Sequence, residues 1–382
     1  MIGEQKEVAQ EMRMPLLTAQ QFYQHDPLLV LLKDKCHLNT FWICASTVLL
    51  PGSVFLFWWF GWVRTTAVWH INNTLSILLQ TFLLFPLIFL MYVLIPGAIA
   101  DLFRTLNMNE VIGKPRASLS MDTATTYEAF VQRMVKWMDN SLWTLAIMIL
   151  VVCYALSRLL LVEPMSTSPV PYAMRACAIL VYLPLMYVTG MSVLRIVLAL
   201  LFTNRLLSSF TLQVKPLHPD GAGGLGAMGH LLWASAGIML WEVLLLVASV
   251  LSRNLIWLSL SEMVLLSAIY LVLTPALLVG WLLVPHMMMV KARNELLQPL
   301  TNQYQHAMLQ SLSSDEYDTQ NLMSETQRLT ALKQRYDLVH DTFPVWPLET
   351  SALSRLAVTV IIPLLLPLLT SLVTLALHPL GL

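Results

Sequence analysis

Charge is scarce in this chain. Only 12% of its 382 residues are Asp, Glu, Lys or Arg, against roughly 25% in soluble domains. The 22 basic and 22 acidic residues cancel, so a nucleic-acid partner has no electrostatic basis. Cysteine is also sparse. Cys36, Cys44, Cys153 and Cys177 form no CxxC or His-paired spacing, which excludes a disulfide framework or zinc site and leaves small buried hydrophobes as their reading. The first 37 residues have neither an apolar core nor a small-residue cleavage site. A cleavable secretory signal is therefore not expected, and the first apolar run serves as its own insertion signal. Reaction motifs are missing as well: there is no HExxH, GxSxG, Walker A or dinucleotide fingerprint. No catalytic residue, metal or cofactor is assigned, and the reading leans away from an enzyme.

What the chain does contain is long apolar runs, with 57% hydrophobic residues and a mean hydropathy of +0.68. Crossing a bilayer takes about 20 mostly apolar residues as a helix. Seven segments meet this: Phe41–Val63, Leu75–Phe103, Leu142–Val162, Tyr172–Phe202, His230–Leu251, Leu255–Met289 and Leu356–Leu377. Alternating them across the membrane places 18 of the 22 Lys and Arg residues on one side. By the positive-inside rule that side is cytoplasmic, and so is the N-terminus, with the C-terminus outside. The expected fold is thus all-α, a polytopic bundle of about seven spans. Residues 1–40 form a cytoplasmic segment in which Gln20–Leu32 is predicted as a short surface helix. Residues 41–289 hold spans one to six, an amphipathic interfacial helix at 123–139 and a glycine-rich loop at 215–230. Residues 290–354 make a cytoplasmic hairpin, and 355–382 the last span with a short external tail. The lipid bilayer is the expected partner.

Within 290–354, Leu297, Leu300, Tyr304, Ala307 and Met308 mark one helical stripe, and Ser313 with Glu316 reads as a capping box opening a second helix. Leu322, Leu329, Leu332, Tyr336 and Val339 then follow at spacings of 7, 3, 4 and 3, a heptad seam. The seam closes either on its own hairpin partner or on another subunit, which makes a homo-oligomer an expectation.

Three places draw a functional reading. Five of the 14 glycines (Gly221, Gly223, Gly224, Gly226, Gly229) fall within nine positions after His218-Pro-Asp220. With Lys215, His218 and Asp220 they suggest a phosphate, lipid-headgroup or nucleotide site ahead of a helix N-terminus, a cation held by His218 and Asp220, or a tight re-entry turn in which Asp220 caps the helix and the glycines let two helices touch. His218 and Asp220 are also the one acid–base pair available to a membrane enzyme acting on lipid-borne substrates. Glu242 lies deepest in a span, a functional candidate because a lipid-exposed carboxylate is costly, with Arg195 as a possible partner. In the last span Thr359, Pro363, Pro367, Thr370 and Thr374 recur at spacings of 4, 4, 3 and 4 and share one face. Each proline frees a carbonyl, so the stripe reads as a conduit lining or as a kinked packing face. No internal repeat is visible, which lowers the case for an inverted-repeat transporter.

The His218-Pro-Asp-x-x-Gly-Gly-Leu225 stretch resembles a segment of uncharacterised bacterial polytopic membrane proteins, and Phe343–Leu348 before a proline-rich last span is similar to the same group. That resemblance implies a bacterial inner-membrane setting. The overall layout is similar to that of insect odorant and gustatory receptor channels, which have seven spans, the same orientation and a pore-lining last span. Together these readings rank an oligomeric ion channel first, a sensor using the glycine-rich loop second, and an enzyme or transporter last.

Overall fold

The computed structural model describes residues 17–58, 75–76, 78–115, 126–161, 172–215, 218–251, 260–313 and 319–346. Nine helices carry the described chain: α1 (Pro27–Leu29, continued as a π-helical turn over Val30–Lys35), α2 (Thr40–Trp58), α3 (Phe85–Met108), α4 (Tyr127–Met138), α5 (Ser141–Leu161), α6 (Tyr172–Ser209), α7 (Met228–Leu251), α8 (Leu260–Ser313) and α9 (Thr319–Thr342). Five stretches are long and apolar enough to cross a membrane: Gln80–Met108, Tyr127–Ser157, Ile179–Ser209, Met228–Ala248 and Val272–Ser311. The protein is a helical membrane protein. The first predicted span begins as α2, whose apolar stretch Thr40–Val54 is shorter. The seventh, with Thr359, Pro363, Pro367, Thr370 and Thr374, lies outside the described residues.

Helices α3 and α6 form the middle of the bundle. α3 packs on α2, α6 and α7, and α6 also packs on α5 and α8. Their faces supply much of the core, including Ile88, Ile95, Ile99, Leu102 and Phe103 from α3 and Val188, Ile196, Ala199 and Leu206 from α6. α5 is peripheral and shows Leu142, Leu145, Ile149 and Val152 outward. Such an apolar exterior is what a helix surrounded by lipid tails requires, and a soluble protein would not expose it.

Proline shapes the entry to α3. Pro86 has no N–H to give the carbonyl of Phe82, and the ladder widens to a π-helical turn over Gln80–Leu84. Two residues ahead of Pro86, the Leu84 carbonyl also accepts from the Trp241 indole N–H at 3.0 Å. One buried side chain from α7 thus ties itself to the backbone at this irregular turn.

A two-stranded antiparallel ladder interrupts the helical pattern. β1 (Ile112–Pro115) pairs with β2 (Phe210–Leu212) and ties the ends of α3 and α6 together. The sequence reading did not foresee it, because four- and three-residue strands carry too little alternation to register.

Three local expectations are corrected. Residues 20–32 are not a surface helix: a 3-10 turn, Ala19–Phe22, and then α1 are driven into the bundle, with Phe22, Asp26 and Leu29 buried. Ser313 belongs to α8, while Glu316, the other half of the expected capping box, lies outside the described residues. Met308 leaves the predicted stripe and is exposed, whereas Leu297 and Ala307 are buried and Leu300 and Tyr304 half-buried. The hairpin itself is present. α8 runs on out of the apolar bundle and α9 packs back along it; Leu329, Leu332, Tyr336 and Val339 of the expected seam are half-buried, and the side chain of Leu322 lies outside the described residues.

The amphipathic helix is also present as α4, opened by the Thr126 side chain accepting from the Ala129 N–H at 3.3 Å. Phe130, Val131, Met134 and Met138 are buried. Phe130 meets Phe202 and Phe210 edge to face, so this apolar face is turned to the protein core.

Candidate functional site

The glycine-rich loop folds around its own carboxylate. Asp220 Oδ1 accepts from the backbone N–H of Ala222 and Gly224, each at 3.0 Å, and Oδ2 accepts from Gly226 at 2.9 Å. Gly221, Gly223 and Gly224 sit at φ of 62°, 66° and 95°, the left-handed region that residues with a Cβ avoid. At Gly223 a Cβ would also lie 2.3 Å from Val214 Cγ1, and at Gly224 one would lie 2.5 Å from Val111 Cγ2. The loop is therefore pressed onto the chain leaving α3 and β2. Asn109 Nδ2 donates to the Gly224 carbonyl at 3.1 Å. His218 Nδ1 is 2.8 Å from Asp220 Oδ1, while Lys215 turns away to Glu110, 3.2 Å off and exposed on both sides. Partial burial opposes the charge on Asp220, but the three N–H donors and His218 outweigh it and hold the carboxyl below its usual range. The donors that would grip a phosphate or headgroup are thus given to Asp220, and all three precede α7, so Asp220 closes the turn on itself and does not cap that helix.

A second carboxylate sits deeper and draws on distant parts of the chain. Asp26 precedes Pro27 and caps α1, accepting from the N–H groups of Leu28 and Leu29 at 3.1 and 3.4 Å. Proline at the first helical position and an acidic cap before it are a matched start signal. The same carboxylate accepts from Arg195 Nη2 at 2.7 Å, from the Tyr92 hydroxyl at 2.6 Å and from the Tyr187 hydroxyl at 2.9 Å. The Arg195 guanidinium stands 5.3 Å from the centre of the Tyr92 ring. Asp26 and Arg195 are 1% and 2% exposed, so the pair has left water altogether. A buried ion pair is tolerated only when further hydrogen bonds meet both partners. Asp26 is well supplied, but Arg195 Nε and Nη1 are buried with no acceptor among the described residues.

Arg195 was expected to partner Glu242. The structure gives it to Asp26 instead, and Glu242, 9% exposed on α7, makes no ion pair among the described residues. Asp26, Tyr92 and Tyr187 were missed. The usable signal was Asp-Pro ahead of Leu-Leu-Val, a cap whose following turn is too apolar to face water. Nothing local, however, identifies a partner 169 residues away.

A smaller polar cluster crosses the bundle beyond Pro86. Gln80 donates to Ser76 Oγ at 3.1 Å, Ser76 donates to the Ala248 carbonyl at 2.6 Å, and the Tyr182 hydroxyl donates to Gln80 Oε1. It ties the segment leading into α3 to α6 and α7 with neutral groups.

The chain matches no family model, no curated protein and no solved structure. Function must be argued from geometry alone.

One more junction bears on it. Where α9 ends, Phe343 is buried, the His286 ring stacks on Trp346 with centroids 4.0 Å apart, and His286 Nδ1 lies 2.7 Å from the Val345 carbonyl. The chain that continues into the last apolar segment thus leaves from a fixed point on α8. Among the described residues no group of His, Cys, Asp or Glu is arranged to hold a metal ion.

Proposed function

We propose that the protein is an oligomeric ion channel of a bacterial inner membrane, with about seven spans, a cytoplasmic N-terminus and an external C-terminus. The last apolar segment lines the conduit, and the α8–α9 hairpin governs assembly and gating. The observation that supports this reading is the junction of Val345 and Trp346 with His286. It fixes the end of the hairpin's return arm to α8 about ten residues ahead of that last segment, so movement of the hairpin would be passed to the chain that leads into it. The skewed distribution of Lys and Arg supports the orientation. The hydroxyls of Thr359, Thr370 and Thr374 and the carbonyls freed by Pro363 and Pro367 would offer weak cation sites along one face. The glycine-rich loop then serves as a structural joint, since its N–H groups already have an acceptor.

Purified protein reconstituted into liposomes should pass ions, and Thr370→Val with Thr374→Val should change conductance or ion selectivity several-fold. If flux is present and both properties stay the same, the last segment does not line the pore. If no flux is found for any ion, the channel reading fails as a whole.

A further inference from the structure

We propose that residues 19–35 are a releasable wedge, tethered to the first span and docked in the bundle by the carboxylate of Asp26, which Tyr92, Tyr187 and Arg195 receive as a ligand. The wedge fills a cleft beside α3, α4 and α6. Phe22, Tyr23 and Leu29 supply its apolar face, and Asp26 reaches past them to the three donors. Those donors come from α3 and α6, the two central helices, and so form a ready-made carboxylate site whose present occupant is part of the same chain.

Four observations distinguish a wedge from a permanent part of the core. Its contacts of charge and hydrogen bonding with the central helices are concentrated in one side chain. Beyond Asp26, the bond to α3 is Lys33 Nζ to the Val93 carbonyl at 3.5 Å. A second tether runs from His25 to elements off the central helices: its ring and backbone N–H meet Asp139 at 2.7 and 2.9 Å, and its carbonyl accepts from the Thr144 hydroxyl at 3.4 Å. The segment is built from a 3-10 turn and a π-helical turn flanking three α-helical residues, forms used in short pieces that often mark hinges and functional sites. Its far end turns at His37, a non-glycine residue at φ 48°, and such conformations recur where chains switch. Arg195, finally, has two buried nitrogens that the docked state leaves without an acceptor, so water entering on release would meet a need the docked state does not.

Release would uncover Tyr92 on α3 and Tyr187 and Arg195 on α6 while leaving the packing of the two helices on each other intact. The device does not depend on whether the protein conducts. It is a local opening of one segment, of the kind that separates low-stability units from a stable core.

The test uses full-length protein in lipid nanodiscs, where both faces are open to reagent. Two single-cysteine versions are compared, one keeping only the exposed Cys36 and one carrying only Leu29→Cys. Labelling with a membrane-impermeant maleimide should be at least about tenfold slower at Leu29→Cys than at Cys36. Asp26→Asn should speed it by about tenfold or more, with the helical circular dichroism and main thermal transition unchanged. Arg195→Lys, which keeps the charge and one donor, should fall between. Labelling at Leu29→Cys that ignores Asp26→Asn would overturn the proposal. So would an Asp26→Asn protein whose helical signal melts along with the protection, because the segment would then be an integral part of the core.

Discussion

Two carboxylates in this molecule are consumed by their own chain, and they differ in where the donors come from. Asp220 is served by N–H groups two, four and six residues further along. Asp26 is served by side chains 66, 161 and 169 residues away. The first arrangement forms as soon as its loop closes and fixes the backbone itself. The second forms only after α3 and α6 have packed, and it fixes a segment against them. Damage to the first should therefore spread into α7 and the strand ladder. Damage to the second should stay with the segment that Asp26 holds.

The sharpest way to break this contrast is Gly223→Val. It places a β-branched side chain at φ +66° with its Cβ 2.3 Å from Val214. Left-handed strain of about 1–2 kcal/mol and overpacking of about 1–3 kcal/mol should together lower global stability by ~3 kcal/mol. The check is a thermal melt in detergent, and a loss below about 1 kcal/mol would mean that the loop is not pinned to Val214. Next in size is Asp220→Ala, which strands three N–H groups in a partly wet loop and should cost about 2 kcal/mol. Its pH dependence has a definite sign. A carboxyl held below its ordinary value contributes fully above the unfolded pKa and loses that contribution as pH falls through the folded one. The gap in melting temperature between natural protein and Asp220→Ala should therefore stay constant at neutral and mildly acid pH. It should close only below the ordinary value of 3.8. The smallest effect belongs to Tyr187→Phe, which removes one of the donors to Asp26 and should cost about 1 kcal/mol. It should appear as faster amide exchange at Leu28 and Leu29 with little change in α7, and equal acceleration in both would dissolve the contrast.

The same difference explains what could be read from the chain. Long apolar runs located α2, α3, α5, α6, α7 and the first part of α8, because lipid leaves a helix no other way to satisfy its backbone. The clustering of glycines after Asp220 exposed the loop, since unusual dihedrals and close approach leave a local trace in residue type. Residues 20–32 were misplaced because Gln20, Gln21, Gln24, His25 and Asp26 look like a wet surface. Asp26 becomes a core residue only through Arg195 and the two tyrosines, and no local pattern encodes that. Ser313 followed by Glu316 met the capping rule, yet Ser313 is helical within α8. Met308 sits one position past Ala307, and a period of 3.6 leaves that choice between neighbours to the partner helix.

The unbroken course of α8 has a mechanical consequence. Its 54 residues span ~80 Å at 1.5 Å per residue, and no loop divides the apolar part from the polar part. Pro275, Pro285 and Pro299 lie inside it and each removes a helical donor, so it works as a lever with built-in points of bending. A bend of ~5° at Pro285 would sweep the tip at Ser313, ~42 Å away, through ~4 Å. Rearrangements too small to disturb the packing of α6 and α7 would therefore arrive at the far end as displacements of several ångströms.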